Sequence, residues 1–264
     1  MTFFEIYILG FIAIMSMMTI LWIASIFLKN VSIVDPFWGM GFIIAAVSYY
    51  LNTEGHGTRK ELVIALVIIW GLRLSIYLGW RNWGKGEDYR YQRFRKDYGE
   101  KRYWWFSFFQ VFLLQGMLCW LVSTPLLAAM YYAPEGDLNF FDYMAVAIWI
   151  FGFIFEAGGD FQLAYFKINP SNKGKLLQKG LWKYTRHPNY FGDATIWWSF
   201  GLFSVAVGSF LPLLGPVLMT WLIVKISGVN LLERTLKDTK PKYKEYVEKT
   251  NAFFPWFPKR NNTE

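Results

Sequence analysis

Long apolar runs separated by short charged segments dominate the chain. Residues 3 to 28 carry one acid, Glu5, near their start and no other charge, enough for a helix across a hydrocarbon core of roughly 30 Å. Further runs fall at about 36 to 51, 61 to 80, 108 to 132, 141 to 166, 193 to 211 and 213 to 232, each near the length a helix needs to cross. The second and sixth are short or interrupted. The pattern predicts an all-α membrane protein, a bundle of about seven transmembrane helices. No internal repeat, low-complexity segment or long linker divides the chain, so residues 1–264 are expected to form a single domain. A cleaved signal peptide would need a basic start, a shorter apolar core and a small-residue cleavage site, so the first run is expected to remain as a span.

Composition supports the membrane reading: 55% hydrophobic and 21% aromatic residues exceed what one soluble core of 264 residues buries. The net charge of +8 adds an orientation. Eight basic residues lie between Arg81 and Arg102, six between Lys167 and Arg186 and nine from Lys225 onward, whereas the loop Tyr131 to Asp142 holds only Glu135, Asp137 and Asp142. By the positive-inside rule the three basic segments, with the carboxyl terminus, face the cytoplasm. Bases placed beside membrane helices suit anionic lipid rather than nucleic acid, and no nucleic-acid partner is expected. The one cysteine, Cys119, excludes an intrachain disulfide, and two distant histidines, His56 and His187, argue against a Cys/His zinc site.

Candidate chemistry concentrates in Gly180-Leu-Trp-Lys-Tyr-Thr-Arg-His-Pro-Asn-Tyr-Phe-Gly-Asp193. Lys183, Tyr184, Arg186, His187, Asn189 and Asp193 sit between apolar runs, so donors and acceptors for a polar, anionic ligand converge there. Pro188 disfavours helix at the residue before it, which places this cluster on a turn ahead of the next span. Upstream, Glu156 and Asp160 share a helix face, with Lys167 about two turns on. Acids near the end of an apolar helix are paired, hydrated or in contact with a ligand. Asp160 beside Gly158 and Gly159 is fit to accept from an amide or a ribose hydroxyl.

In the amino-terminal half, Asp35 ahead of Pro36 reads either as a helix cap with proline at the first helical position or as an acid held at the membrane boundary. Arg73 closes an apolar run and lies four residues before Tyr77, about one turn. It either lines a polar cavity or snorkels. The loop Trp80 to Gln92 mixes glycines, bases, acids and aromatics. It fits a phosphate contact through Arg81 and Lys85, or a solvated loop on lipid headgroups; Walker and dinucleotide spacings are missing. The tail from Leu231 to Pro258 reads as an interfacial anchor, with Glu233 and Arg234 able to reach the site.

Gln162, Phe166-Lys167, Asn169-Pro170, Gly180-Leu-Trp and Arg186-His-Pro-Asn-Tyr-Phe-Gly-Asp193 together resemble the steroid 5α-reductase family, most nearly its bacterial branch, which is related to the sterol C14-reductases. The match is strongest over residues 156 to 258. The resemblance implies a bundle opening to the cytosol around NADPH, with hydride passed to a carbon-carbon double bond conjugated to a carbonyl in a lipophilic, steroid- or isoprenoid-like substrate. Family cofactor positions carry over to Asp160, Lys167, Tyr184, Arg186, His187, Asn189 and Asp193, in a cofactor-binding half of about 141–258. The protein is expected to act as a monomer.

The amino-terminal half departs from the family pattern. Steroid-reducing members carry a Gln-Glu pair on the second helix, where this chain has Val34-Asp35, and a catalytic tyrosine on the third, for which Trp70 or Tyr77 is the nearest candidate. Asp35, Arg73 and Tyr77 are the expected catalytic residues. Two rivals stand beside the reductase. One is an S-adenosylmethionine-dependent methyltransferase of the isoprenylcysteine type, which shares Arg-His-Pro but has a Glu-Glu pair where this chain has Leu232-Glu233. The other is a non-enzymatic lipid or sterol carrier.

Overall fold

The structure, a computed structural model, describes residues 1–55, 57–133, 138–230, 232, 233, 236 and 243–259. His56, Glu135, Asp137, Leu231 and Arg234, which figure in the sequence reading, lie outside the described residues. The fold is all-helical, 81% helix, with no strand among the described residues. Five helical segments are long and apolar enough to cross a membrane: Phe3–Leu28, Val31–Asn52, Thr58–Asn82, Glu100–Tyr131 and Phe140–Ile168. They match the first five expected runs, and this is the build of an integral membrane protein. The expected sixth and seventh spans are helical as well, but α9 (Pro188–Ala206) opens on polar residues and Leu211–Ile226 is shorter than a full crossing.

The chain gathers into two compact units, Met1–Asn139 with Phe203–Pro212, and Phe140–Leu202 with Leu213–Glu264. In the first, α1 (Phe3–Leu28) starts at a capping box: Glu5 N donates to Thr2 Oγ1 at 3.3 Å and Thr2 N to Glu5 Oε2 at 2.8 Å. Its buried residues Ile6, Gly10, Ile14, Met18, Leu21 and Ser25 recur every three or four positions, while Phe4, Ile20 and Phe27 point outward. A helix apolar all round but buried on one stripe packs its neighbours with that stripe and leaves the rest for lipid. Next, α2 (Trp38–Asn52) and α3 (Thr58–Asn82) cross at Gly39 and Gly71. A methyl on Gly39 would lie 2.5 Å from the Gly71 carbonyl oxygen, so only glycine permits the approach.

Asp35 does not cap α2. The segment Val31–Phe37 is a 3-10 helix capped by Asn30, whose side chain accepts from Ser32 N at 2.9 Å, and α2 starts behind it at Trp38 without a side-chain cap. Of the two readings for Asp35, the structure thus removes the cap. Following the third span, α4 (Tyr89–Tyr98) and α5 (Glu100–Ser107) lead through a π-helical stretch, Phe108–Leu113, into α6 (Leu114–Val122) and α7 (Thr124–Tyr131).

In the second unit, α8 (Phe140–Ile168) buries Asp142, Ala145, Trp149, Gly152, Glu156, Gly159 and Asp160 on one stripe. That stripe meets α9. A methyl on Gly152 would stand 2.9 Å from Gly192 O, and one on Gly159 3.0 Å from Asn189 N. Close backbone approach at both glycines brings the acids of α8 to the first turns of α9. After α10 (Leu214–Trp221) and a second π-helical stretch, Leu222–Ser227, the chain ends in α11 (Tyr243–Lys249) and an extended tail.

Candidate functional site

The second unit joins the carboxyl-terminal end of α8 to the segment 181–189. Asn189 Nδ2 donates to Asp160 Oδ1 at 3.0 Å, Trp182 Nε1 to Gly159 O at 3.0 Å and Leu181 N to Gln162 Oε1 at 2.9 Å. Asp160 and Glu156 are buried. Helix α9 begins at Pro188, earlier than the sequence predicts, because proline at the first helical position gives up an N–H that has no partner there anyway. Asn189 and Asp193 therefore lie on one helix face rather than on the turn. The carbonyl oxygen of Asn189 is buried and has no hydrogen-bond partner among the described residues. A buried amide with one end bound and the other vacant costs free energy unless something docks there.

Arg186 is 7% exposed and its donors are committed. Nε and Nη2 reach Glu233 Oε1 at 2.9 and 2.5 Å, and Nη1 donates to the carbonyl oxygens of Val247, at 3.2 Å, and Thr250. The backbone follows: Arg186 N donates to Asn251 O at 2.9 Å, Thr185 Oγ1 lies 3.0 and 2.9 Å from Ala252 O and Phe253 O, and Trp256 N donates to Tyr184 O at 2.9 Å. The tail is thus strapped to the turn. His187 is also buried, 3.4 Å through Nε2 from Glu233 Oε1, with its ring stacked on Tyr190. Burial works to raise the Glu233 carboxyl, but hydrogen bonds from His187 and Arg186 and the Arg186 charge pull it from the usual 4.5 to about 2.

Of the expected cofactor positions, Asp160 and Asn189 are joined directly, and Arg186 and His187 share Glu233. Tyr184 is half-buried and edge-on to Phe257, Asp193 is half-buried on α9, and Lys167 is exposed at the end of α8. The one strongly buried cation of the set is already neutralised. An anionic ligand would find its cations in the exposed Lys167 and Lys183 instead.

In the first unit, Asp35 anchors a polar network. Its side chain is 14% exposed, with Oδ2 at 2.9 Å from Arg90 Nη2 and Oδ1 accepting from the Tyr91 hydroxyl at 2.7 Å. Gln115 Nε2 donates to the same hydroxyl at 3.3 Å. Around it, Glu87 accepts from Val31 N and from Arg95, and Asp88 N donates to Ser32 Oγ at 2.6 Å, so the start of α4 is clamped onto the 3-10 turn. Burial first, then the Asp35 charge, pushes the Tyr91 phenol well above its ordinary range, leaving it protonated as a donor.

Arg73 and Tyr77 are half-buried on α3, the Tyr77 ring lying beside Trp80 and the Arg81 guanidinium. Tyr91 and Gln115 escape a reading of the sequence because their link to Asp35 spans 56 and 80 positions and follows no local periodicity. The only available signal is the alternation of bases, acids and tyrosines in the Trp80 to Gln92 loop.

The family described as "Protein of unknown function (DUF1295)" matches the chain over residues 21–250. A Schizosaccharomyces pombe protein described as uncharacterized is 28% identical over 262 residues, covering 89% of this chain and 76% of that one. No solved structure matches the chain.

Proposed function

This chain belongs to the DUF1295 family of proteins of unknown function, and on that premise we propose that it is a membrane-embedded, NADPH-dependent reductase of carbon-carbon double bonds conjugated to a carbonyl in a lipophilic substrate. The family's relation to steroid 5α-reductase-like proteins supports this reading. One observation carries it: the Asn189 amide, held by Asp160 at 3.0 Å, keeps its carbonyl oxygen buried and without a partner among the described residues. A nicotinamide carboxamide is a ligand of matching polarity, offering an N–H pair to that oxygen. The phosphate end fits less closely, since Arg186 is taken by Glu233 and Lys167 with Lys183 would have to serve.

Bound NADPH would supply the hydride. This chain would supply orientation, through Asn189 and Asp160, and a donor for the carbonyl oxygen that gains negative charge. Asp35 or Tyr77 is the expected donor, with Arg73 as electrostatic support, and the Tyr91 hydroxyl, whose proton goes to Asp35, holds that carboxyl in place. The proposed count is about seven crossings, α9 and the Leu211–Ser227 segment being the last two, with the basic loops and the cofactor on the cytoplasmic side.

Purified protein in detergent, heated with NADPH or with S-adenosylmethionine, tests the proposal. NADPH at one hundred times its dissociation constant should stabilise by about 2.7 kcal/mol. Asn189→Ala and Asp160→Asn should remove most of that stabilisation. Stabilisation by S-adenosylmethionine alone would assign a methyltransferase, and none by either would leave the carrier reading.

A further inference from the structure

A cleft of about 430 Å³ opens at the end of α8, lined by Phe161, Gln162, Tyr165, Ile168, Asn169 and Lys179 among others, with neither Asp160 nor Asn189 in its wall. Its two sides differ chemically. Phe161, Tyr165 and Ile168 recur at helical spacing and are 70%, 73% and 66% exposed, a stripe of apolar surface that no described side chain covers. Opposite lie amide and ammonium donors. Gln162 commits its oxygen to Leu181 N at 2.9 Å and Asn169 its oxygen to Ser171 N at 3.0 Å, so both amide nitrogens remain without a partner among the described residues. Lys179 adds a cation on an exposed position.

The loop that follows α8 is rich in bases. Between residues 161 and 192 the chain holds Lys167, Lys173, Lys175, Lys179, Lys183 and Arg186 and no acid. With Arg186 paired to Glu233, Lys173, Lys175, Lys179 and Lys183 leave the loop after α8 positively charged. The loop turns at Gly180, whose φ of +60° favours glycine and where a methyl would stand 2.5 Å from Gln162 Oε1.

We propose that this cleft is a binding site for an anionic phospholipid, its phosphate held by Lys179 with the Gln162 and Asn169 amides and its acyl chains laid along Phe161, Tyr165 and Ile168. An apolar stripe at the end of a membrane-crossing helix meets acyl chains where they begin, and a lysine-rich, acid-free loop beside it selects a negative headgroup. A neutral lipid would satisfy the stripe and leave the donors unmet. A soluble anion would do the reverse.

Full-length protein in detergent is titrated with phosphatidylglycerol, with phosphatidylcholine of the same acyl chains, and with inorganic phosphate, reading retained lipid by native mass spectrometry and thermal unfolding. No NADPH is present, so the outcome is independent of the reductase proposal. Phosphatidylglycerol should be retained and stabilise, with phosphatidylcholine at least about tenfold weaker, and Lys179→Glu should weaken phosphatidylglycerol about tenfold while Lys101→Glu, equal in charge change but elsewhere, leaves it unchanged. Equal retention of both lipids, an equal loss in the two variants, or the same stabilisation from inorganic phosphate alone would each overturn the proposal.

Discussion

Arg186 and Glu233 form a buried ion pair across 47 positions of sequence, Nε and Nη2 of the arginine both closing on one carboxylate oxygen. The same guanidinium binds two carbonyl oxygens of the tail. A residue whose sequence setting suggests a phosphate grip is here the strap that fastens the carboxyl-terminal segment to the start of α9. Removing one partner leaves an uncompensated charge in a poorly solvated place.

Arg186→Ala is accordingly expected to cost about 3 kcal/mol or more, read as a lowered unfolding midpoint and as faster proteolysis near residues 246–257. Arg186→Lys, which keeps the charge but not the fork, should fall between the variant and the parent.

Glu233 makes this strap sensitive to acid. Its folded-state pKa of about 2 lies below the usual 4.5, so between those values the unfolded chain binds more protons than the folded one. The contribution is fully present above about pH 4.5 and is lost as pH falls toward 2. Thermal unfolding across that window should show a steeper loss for the parent than for Glu233→Gln, which cannot titrate.

Tyr91→Phe removes the hydroxyl that Asp35 and Gln115 share. Stability should fall by about 1–2 kcal/mol, the cost of leaving buried partners unmatched. If Asp35 is the donor to substrate, turnover at saturating NADPH should fall with little change in NADPH binding, because the carboxyl loses the hydroxyl that orients it.

Glycine positions at the helix crossings separate packing from propensity. Gly39→Ala, 2.5 Å from Gly71 O, and Gly192→Ala, 2.5 Å from Gly152 O, should each cost about 1–3 kcal/mol, because backbone cannot move aside as a side chain can. Gly79→Ala, also within a helix but with nothing inside 4 Å, should be neutral or stabilise by about 0.5–1 kcal/mol. Unfolding midpoints of the three variants measured side by side decide the matter.

Gly180→Ala should disturb the loop beside α8 selectively. Its backbone conformation and the nearby Gln162 side chain both exclude a methyl, so a loss of about 1 kcal/mol or more is expected from the strained φ alone. Exchange of the Leu181 amide, protected by Gln162 Oε1 in the parent, should quicken in the variant.

The family-like residues Gln162, Asn169, Gly180 and Trp182 could be picked out along the chain, yet the hydrogen bonds that Gln162 and Trp182 make tie the loop to α8 and that of Asn169 caps the turn at Ser171. The helical character, the span Phe3–Leu28 and the general place of the next four spans follow from the run length of apolar residues, because a hydrocarbon solvent imposes that length locally on every crossing helix. The grouping of Asp160 with Asn189 was within reach for the same reason, as both sit where polar residues interrupt an apolar run. Partner choice was not. Asp35 meeting Tyr91 and Arg186 meeting Glu233 depend on how helices fold back on one another, and side chains brought together by chain reversal leave no periodic trace between them. Periodicity tells which face of a helix is buried; only the packed chain tells against what.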